Sequence, residues 1–354
     1  MWLLDNRTPF AAERTWVRDE DGAEVWLVAV KGSFLIQSDG KQTLDTEQSE
    51  VSRVPQFCGQ PGLSSLLNDS DFVHKKTLTD VIVQGHAYSP GGKPADRVDV
   101  RLKIHNFIDK TLRIHGDRLW RRGWFGIKLA KPQPFTCMPI TYERAFGGTD
   151  QKAKNPKHHR WEPCNPVGTG FATRKKHLIG KSAPNIEDPR APYRSWRHGK
   201  PAGFGPIARH WSPRVKLAGT YDEKWENTRS PLLPSDFDER FYQCAPQDQQ
   251  VPGFLKGGEI VELYNLTPDE FLSFRLPRVT FALRTRFYDG TAAAHRADLH
   301  TLIIQSDKRR FQMVWHSQLP CHHKVNKLMS TEIVIKERIN VPQATLETGV
   351  WIGA

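Results

Sequence analysis

The sequence predicts an all-β fold: two antiparallel β-sandwich or barrel-like units, a long irregular central segment between them, and few short helices. Three observations lead there. Gly (26) and Pro (25) together supply 51 of 354 residues, which interrupts long helices. Toward both ends of the chain, short runs rich in Val, Ile, Phe and Trp are bounded by turn residues. Within Arg101–Phe107 the pattern has period two, with Leu102, Ile104 and Asn106 on one face and Arg101, Lys103 and His105 on the other.

Taken in chain order, Glu24–Ile36 reads as the first long strand, closed by the turn Ser38-Asp39-Gly40-Lys41. Thr79–Tyr88 and Arg97–Phe107 follow, separated by Ser89-Pro90-Gly91-Gly92-Lys93-Pro94, a connection with little helical freedom. Asp109-Lys110 turns the chain into Thr111–His115. Toward the C-terminus, Glu259–Tyr264, Val279–Tyr288, Ala297–Gln305 and Arg310–His316 are strand-like, with Asp289-Gly290 and Ser306-Asp307-Lys308 as turns. A strand–Asp-Lys–strand–Trp pattern occurs twice, ending at Trp120 and Trp315, and hints at related units. Thr267-Pro268-Asp269-Glu270 has a capping Thr and a Pro at the first position, so a short helical turn is expected there and another over Ser235–Tyr242. These elements divide the chain into an N-terminal β unit (1–130), a basic Pro/Gly/Trp-rich segment packed on the scaffold (131–255), a C-terminal β unit (256–340) and a tail (341–354).

The longest purely apolar run is the six residues Val25–Val30, far below the roughly 20 needed to span a bilayer as a helix. The opening MWLLDNRTPF carries Asp5 and Arg7 and no apolar signal core. Five dispersed cysteines (Cys58, Cys137, Cys164, Cys244, Cys321) contain no Cys-x-x-Cys pair. A disulfide framework is therefore not expected, and the reducing cytoplasm is the expected compartment.

The 51 Lys/Arg exceed the 39 Asp/Glu by 12, and the excess is localised. From Gln151 to Ser230 there are 17 basic and 6 acidic residues, leaving the rest of the chain with 34 and 33. Such a strip attracts acidic partners and raises encounter rates, or simply keeps the protein soluble. Aromatic and basic residues interleave at Arg194, Trp196, Arg197 and His198, and again at Arg209, His210, Trp211 and Arg214. The six Arg and Trp residues of these two runs are the candidate partner contacts. The same residue types stack on nucleic-acid bases and pair with phosphates, so a nucleic-acid binder is one alternative. Arginine on tryptophan is equally an ordinary packing arrangement within one protein.

For metal chemistry the candidates are His158-His159 with Cys164, and Cys321-His322-His323; neither matches the staggered spacing of a zinc site. A metal-assisted hydrolase using His158, His159 or Cys164 is the other alternative. The sequence has no GxSxG, HExxH or GxxxxGK[ST], and Phe146-Gly147-Gly148-Thr149-Asp150 looks more like a tight turn than a phosphate loop. No cofactor is called for by any motif.

A series of short motifs runs through the centre of the chain. It begins with Tyr142-Glu143-Arg144-Ala145-Phe146-Gly147-Gly148, then Asn165-Pro166-Val167-Gly168-Thr169-Gly170 and Ala183-Pro184-Asn185-Ile186-Glu187. It continues through Pro201-Ala202-Gly203-Phe204-Gly205-Pro206, Gly219-Thr220-Tyr221-Asp222 with Trp225, and Ala245-Pro246-Gln247-Asp248-Gln249. It closes with Leu255-Lys256-Gly257-Gly258-Glu259 and Asn265-Leu266-Thr267-Pro268. In this order the motifs resemble the bacterial domain-of-unknown-function family two-one-six-nine, over roughly Met1 to Asn340. The resemblance implies a non-enzymatic cytosolic adaptor or chaperone of type VI secretion, which stabilises a cognate effector and helps load it onto the VgrG/PAAR spike. It implies no catalytic residue, metal or cofactor, and no contact residue carries over. Glu143, Arg144, Phe146, Gly147, Gly148, Asn165, Gly168, Asn185, Phe204, Gly205, Asp222, Trp225 and Asp248 are expected to build the platform through turns and bracing hydrogen bonds. Trp211 and Trp225 are expected also to anchor the irregular segment on the sheets.

Overall fold

A computed structural model describes residues 2–124, 126–193, 196–197 and 199–336. The tail 341–354 and the last positions of the expected C-terminal unit, 337–340, lie outside the described residues, as do Arg194 and His198.

The fold is all-β. Ten strands form a large sheet whose path runs Leu3–Asn6, Leu328–Ile335, Phe281–Phe287, Ala292–Gln305, Arg310–Pro320, Glu24–Ile36 and Ala11–Arg18. Gln42–Leu44 joins Glu24–Ile36, Leu78–Gln84 runs parallel to Ala292–Gln305, and Gln250–Pro252 adds to Leu78–Gln84. The two ends of the path meet: Arg14 Nε donates to the Trp2 carbonyl at 2.6 Å, and the Trp2 ring packs edge-on against Trp26. The sheet is thereby nearly closed, which leaves little raw edge for aggregation. A second sheet of five strands has the order Ile186–Glu187, Ile108–His115, Arg97–Ile104, Ile260–Tyr264 and Phe271–Arg275.

Both sheets draw strands from both flanks of the chain. Arg310–Pro320 pairs along its whole length with Glu24–Ile36, and Ile260–Tyr264 pairs with Arg97–Ile104. The two β units are therefore two sheets, each built from both ends of the sequence, rather than the stretches 1–130 and 256–340. One apolar core joins them: Phe274 of the small sheet stacks on Phe311 of the large one at 5.0 Å, and Phe311 stacks on Phe34 at 5.1 Å. Strand order depends on which apolar faces can bury together, and no local pattern encodes that choice.

Local expectations shift in four places. The hairpin after Arg97–Ile104 turns at His105–Phe107, with His105 at φ 45°, so Asn106 is exposed and not inward-facing. Asp109 and Lys110 then lie inside the next strand, opposite Lys103 and Leu102. With that turn misplaced, the two strand–Asp-Lys–strand patterns fall in different sheets and are not a duplication. Thr267–Glu270 is a hairpin loop, not a helix, because Ile260–Tyr264 pairs directly with Phe271–Arg275 across it. Among the described residues the single α-helix is Glu223–Thr228, where the Asp222 carboxylate accepts from the Trp225 N–H at 2.8 Å; Ser235–Tyr242 contains only a 3₁₀ turn over Glu239–Tyr242.

Candidate functional site

The central segment divides by burial into two parts. Segments 118–131 and 145–200 cover a small second core of Trp120, Phe146, Ala172, Leu178, Ala183 and Tyr193. Tyr193 is the keystone, edge-on to Trp120 at 5.9 Å and tilted against Phe146 at 5.3 Å. The remainder, around 201–249, packs on the main core through Phe204 and Trp211, both fully buried.

The motif Tyr142–Gly148 joins the two cores. Tyr142 and Ala145 belong to the main one and Phe146 to the small one. Asn165 is fully buried and its Nδ2 donates to the carbonyls of Tyr142 (2.7 Å) and Phe146 (2.9 Å). Gly147 sits at φ 150°, where a Cβ would lie 2.1 Å from the Asn165 carbonyl oxygen, and a Cβ on Gly168 would lie 2.4 Å from Asn165 Nδ2. Gly148 also has positive φ, 102°. Only glycine fits this crossing. Around it, Glu143 accepts from the Ser65 N–H (2.7 Å) and hydroxyl (2.9 Å), Arg144 pairs with Asp117 at 2.8 Å, and Asn185 Nδ2 donates to the His115 carbonyl at 3.0 Å. Burial alone would raise the Glu143 carboxyl, but the hydrogen bonds from Ser65 and its neighbours prevail and hold it below the usual range.

The lobe is cationic on its outside because its acids are consumed inside. Residues 118–200 contain 18 Lys/Arg and 5 Asp/Glu. Fifteen of those cations are exposed, and none of the five acids is. Asp150 accepts from the Thr173 N–H and hydroxyl and from His177 Nδ1, the last two at 2.7 Å. Glu187 takes His115 Nε2 at 2.8 Å and the Tyr193 N–H at 2.8 Å. Glu143 is held by Ser65, Glu162 accepts the Cys164 N–H at 3.2 Å, and Asp188 pairs with Arg190 at 3.1 Å. Lys and Arg, with long stems, stay in water while short carboxylates are spent on backbone bracing.

These cations occupy three neighbouring pieces. The ribbon Trp120–Gly123/Gly126–Leu129 carries Arg121, Arg122 and Lys128. Trp120 exchanges backbone hydrogen bonds with Gly180 and Lys181, which places the ribbon beside the turn that bears Arg174, Lys175 and Lys176. That turn is tied through Asp150 to the ribbon Thr149–Asp150/Arg160–Trp161, whose loop holds Lys152, Lys154 and Lys157. Trp124, at the tip of the first ribbon, is 98% exposed, and Trp161 is 55% exposed. Aromatic and arginine side chains of this kind dominate binding energy at protein interfaces.

The six candidate contacts from the sequence separate sharply. Trp211 is fully buried, edge-on to Tyr142 at 5.5 Å, and Arg214 is 3% exposed, so neither belongs to a contact surface. Arg214 donates to Asp69 (2.9 Å) and to the carbonyls of Phe241 (3.0 Å) and Ile207 (2.5 Å). Arg209 reaches the same Asp69 at 3.1 Å and is spent on a buried acid. Trp196 is half-buried against the small core, with the exposed Arg197 guanidinium 5.1 Å from its ring centroid. Arg194 lies outside the described residues. Arg121, Arg122, Trp124 and Lys128 were missed, although Trp-Arg-Arg-Gly-Trp-Phe-Gly-Ile-Lys-Leu carries a Gly-bounded hairpin signal.

The other motif residues are internal supports. Tyr142 Oη donates to the Gly205 carbonyl at 3.3 Å, Asp248 pairs with the buried Lys110 at 2.8 Å, and Trp225 Nε1 donates to the Leu232 carbonyl at 2.8 Å. His158 is exposed, His159 Nε2 contacts the Ala153 carbonyl at 3.0 Å, and His322 and His323 are exposed while Cys321 is buried. Among the described residues no three His, Cys, Asp or Glu side chains come together as a metal site.

A groove of about 310 Å³ runs beside Gly85, Thr141, Gly203 and Lys308. On its side His86 Nδ1 lies 2.7 Å from Asp307 Oδ2, and Tyr88 Oη donates to Asp307 at 3.0 Å. Among the described residues no nucleophile lies within hydrogen-bond distance of the other ring nitrogen of His86, so the pair braces the Ser306–Lys308 turn. No described helix is long and apolar enough to cross a membrane.

The chain belongs to the bacterial family described as an uncharacterized protein conserved in bacteria (DUF2169), whose model matches residues 21–316. No curated protein and no solved structure matches it.

Proposed function

We propose that this family member is a non-enzymatic adaptor or chaperone that grips another polypeptide with the cationic lobe. We read the resemblance of its motif series as pointing to a role in type VI secretion, in which the partner is an effector that it stabilises and helps load onto the VgrG/PAAR spike. One observation carries the adaptor reading: fifteen cations of the 118–200 stretch face solvent while all five of its acids are internally engaged. Such a surface steers an oppositely charged partner and fixes its register. The cytoplasm, where effectors are loaded, is the compartment this function requires.

A tagged full-length chain is expected to retain the effector or spike protein encoded beside it at low salt and to release it as ionic strength rises. No retention at low salt overturns the adaptor. Exposed Trp124 and Trp161 among cations favour one second reading, single-stranded nucleic-acid binding by stacking. A salt-dependent shift of labelled oligonucleotide without effector retention would select it.

A further inference from the structure

The ribbon Trp120–Gly123/Gly126–Leu129 has one edge left open. Its register pairs Trp120 with Leu129, Arg121 with Lys128 and Arg122 with Ile127. The Ala130 N–H donates to the Leu119 carbonyl at 2.8 Å, which makes 119/130 a hydrogen-bonded pair. Alternation then makes Arg121/Lys128 hydrogen-bonded and turns the backbone groups of Trp120, Arg122, Ile127 and Leu129 outward. On the Trp120 side these groups are used: its N–H donates to Lys181 and its carbonyl accepts from Gly180. On the opposite side the outward N–H and C=O groups of Ile127 and Leu129 have no hydrogen-bond partner among the described residues.

This open edge is marked by charge. Arg121 and Lys128, both exposed, stand directly opposite each other, an arrangement that costs free energy in an isolated ribbon. Neither they nor Arg122 form an ion pair with any described residue, and Trp124 extends from the tip. Ile127 and Leu129 pack toward the small core, so one face of the ribbon is fixed and only its outer face, tip and edge are free. A blade held in this way suits a strand lying alongside better than entry into a duplex groove. The cations repel a second copy of the same edge and attract an acidic one.

We propose that Ile127–Leu129 accepts an extended acidic polypeptide segment as an added strand, with Arg121 and Lys128 on the outer face reading its carboxylates and Trp124 covering its end. This deepens the adaptor reading and rests on it for the identity of the partner. Backbone pairing supplies affinity in such complexes and the side chains supply specificity.

The probe is a fluorescein-labelled twelve-residue peptide of alternating Glu and Val, titrated into the full-length chain and followed by anisotropy. A Lys/Val peptide and an oligothymidylate of equal charge serve as controls. Saturable binding of the Glu/Val peptide is expected, weakened about tenfold by the surface variant Arg121→Glu/Lys128→Glu. Ile127→Pro, which removes one outward N–H, is expected to weaken it comparably while leaving the circular dichroism spectrum unchanged. No binding, equal binding of the Lys/Val peptide, oligothymidylate binding alone, or indifference to both variants overturns the proposal. Retention of the neighbouring effector by the charge-reversed variant sinks the edge and spares the adaptor. Glu/Val binding without effector retention does the reverse.

Discussion

Arg214 and Asp69 are 145 residues apart in the chain and meet in the interior, Nη2 to Oδ2 at 2.9 Å, with side chains 3% and 5% exposed. The guanidinium also binds two backbone carbonyls, so the irregular segment is tied to the loop before Leu78–Gln84 by one side chain. Burial alone would raise the Asp69 carboxyl, yet the charges of Arg214 and Arg209 keep it below the usual range. Removing one partner of such a pair strands the other charge. Arg214→Met should cost about 3 kcal/mol, toward the low end of the range for buried pairs because Arg209 remains. Urea unfolding should show a lower midpoint at unchanged slope, and Asp69→Asn in the same chain should recover part of the loss.

The Tyr142–Gly148 crossing makes a local prediction. Asn165→Ala leaves the buried Phe146 carbonyl without a donor, which costs about 1–3 kcal/mol, while the Tyr142 carbonyl keeps the Ala145 N–H. Limited proteolysis of this variant should cut first between residues 145 and 200, while the paired strands Glu24–Ile36 and Arg310–Pro320 stay protected. Gly147→Ala should be worse, since its Cβ would meet the Asn165 backbone and not a movable side chain. Uniform cleavage throughout the chain would contradict a separately supported lobe.

Stability should fall with acid in a window set by a buried histidine. His316 stacks on His300 at 4.9 Å, and neither of its ring nitrogens has a hydrogen-bond partner among the described residues. Burial, assisted by the Lys76 charge, lowers its pKa to about 3. Between the unfolded value near 6.5 and that folded value, the unfolded chain binds the extra proton, so stability drops as pH falls. The slope from one such group is about 1.4 kcal/mol per pH unit. His316→Phe should remove this component, making the urea midpoint less dependent on pH between 6 and 4. An unchanged pH profile would mean that His316 is protonated in the folded protein.

The outer charges should matter to partners and hardly to folding. Lys175→Glu/Lys176→Glu should shift stability by no more than about 0.5 kcal/mol. Retention of the neighbouring effector should drop and its salt dependence flatten. A variant that unfolds would instead assign these lysines to the scaffold.

Much of the fold class was legible because strand signals are local. The period-two stretch Val98, Val100, Leu102, Ile104 is buried as its alternation requires, and the turn Ser306–Lys308 forms where Ser-Asp-Lys predicts. The turn at His105–Phe107 was not legible, because a non-glycine residue with positive φ carries no compositional mark. At the site, the excess of positive charge was visible from counting, but the choice among its arginines and tryptophans was not. Trp211, inside the basic stretch 151–230, is fully buried, and Trp124, outside it, is 98% exposed.

The amino-acid sequence by itself determined the β class, the short reach of its helices, the lack of a bilayer-length apolar run and the place of the surplus charge. These follow from composition and from periods of two residues, which each stretch of chain settles alone. Tertiary structure decided that both flanks share each sheet, that Trp211 and Arg214 turn inward while the half-exposed Arg209 is spent on Asp69, and that Arg121, Trp124 and Lys128 remain outside. The physical reason is desolvation. An arginine can be buried only where a distant acid such as Asp69 waits for it, and a tryptophan only where distant rings such as Tyr142 close around it.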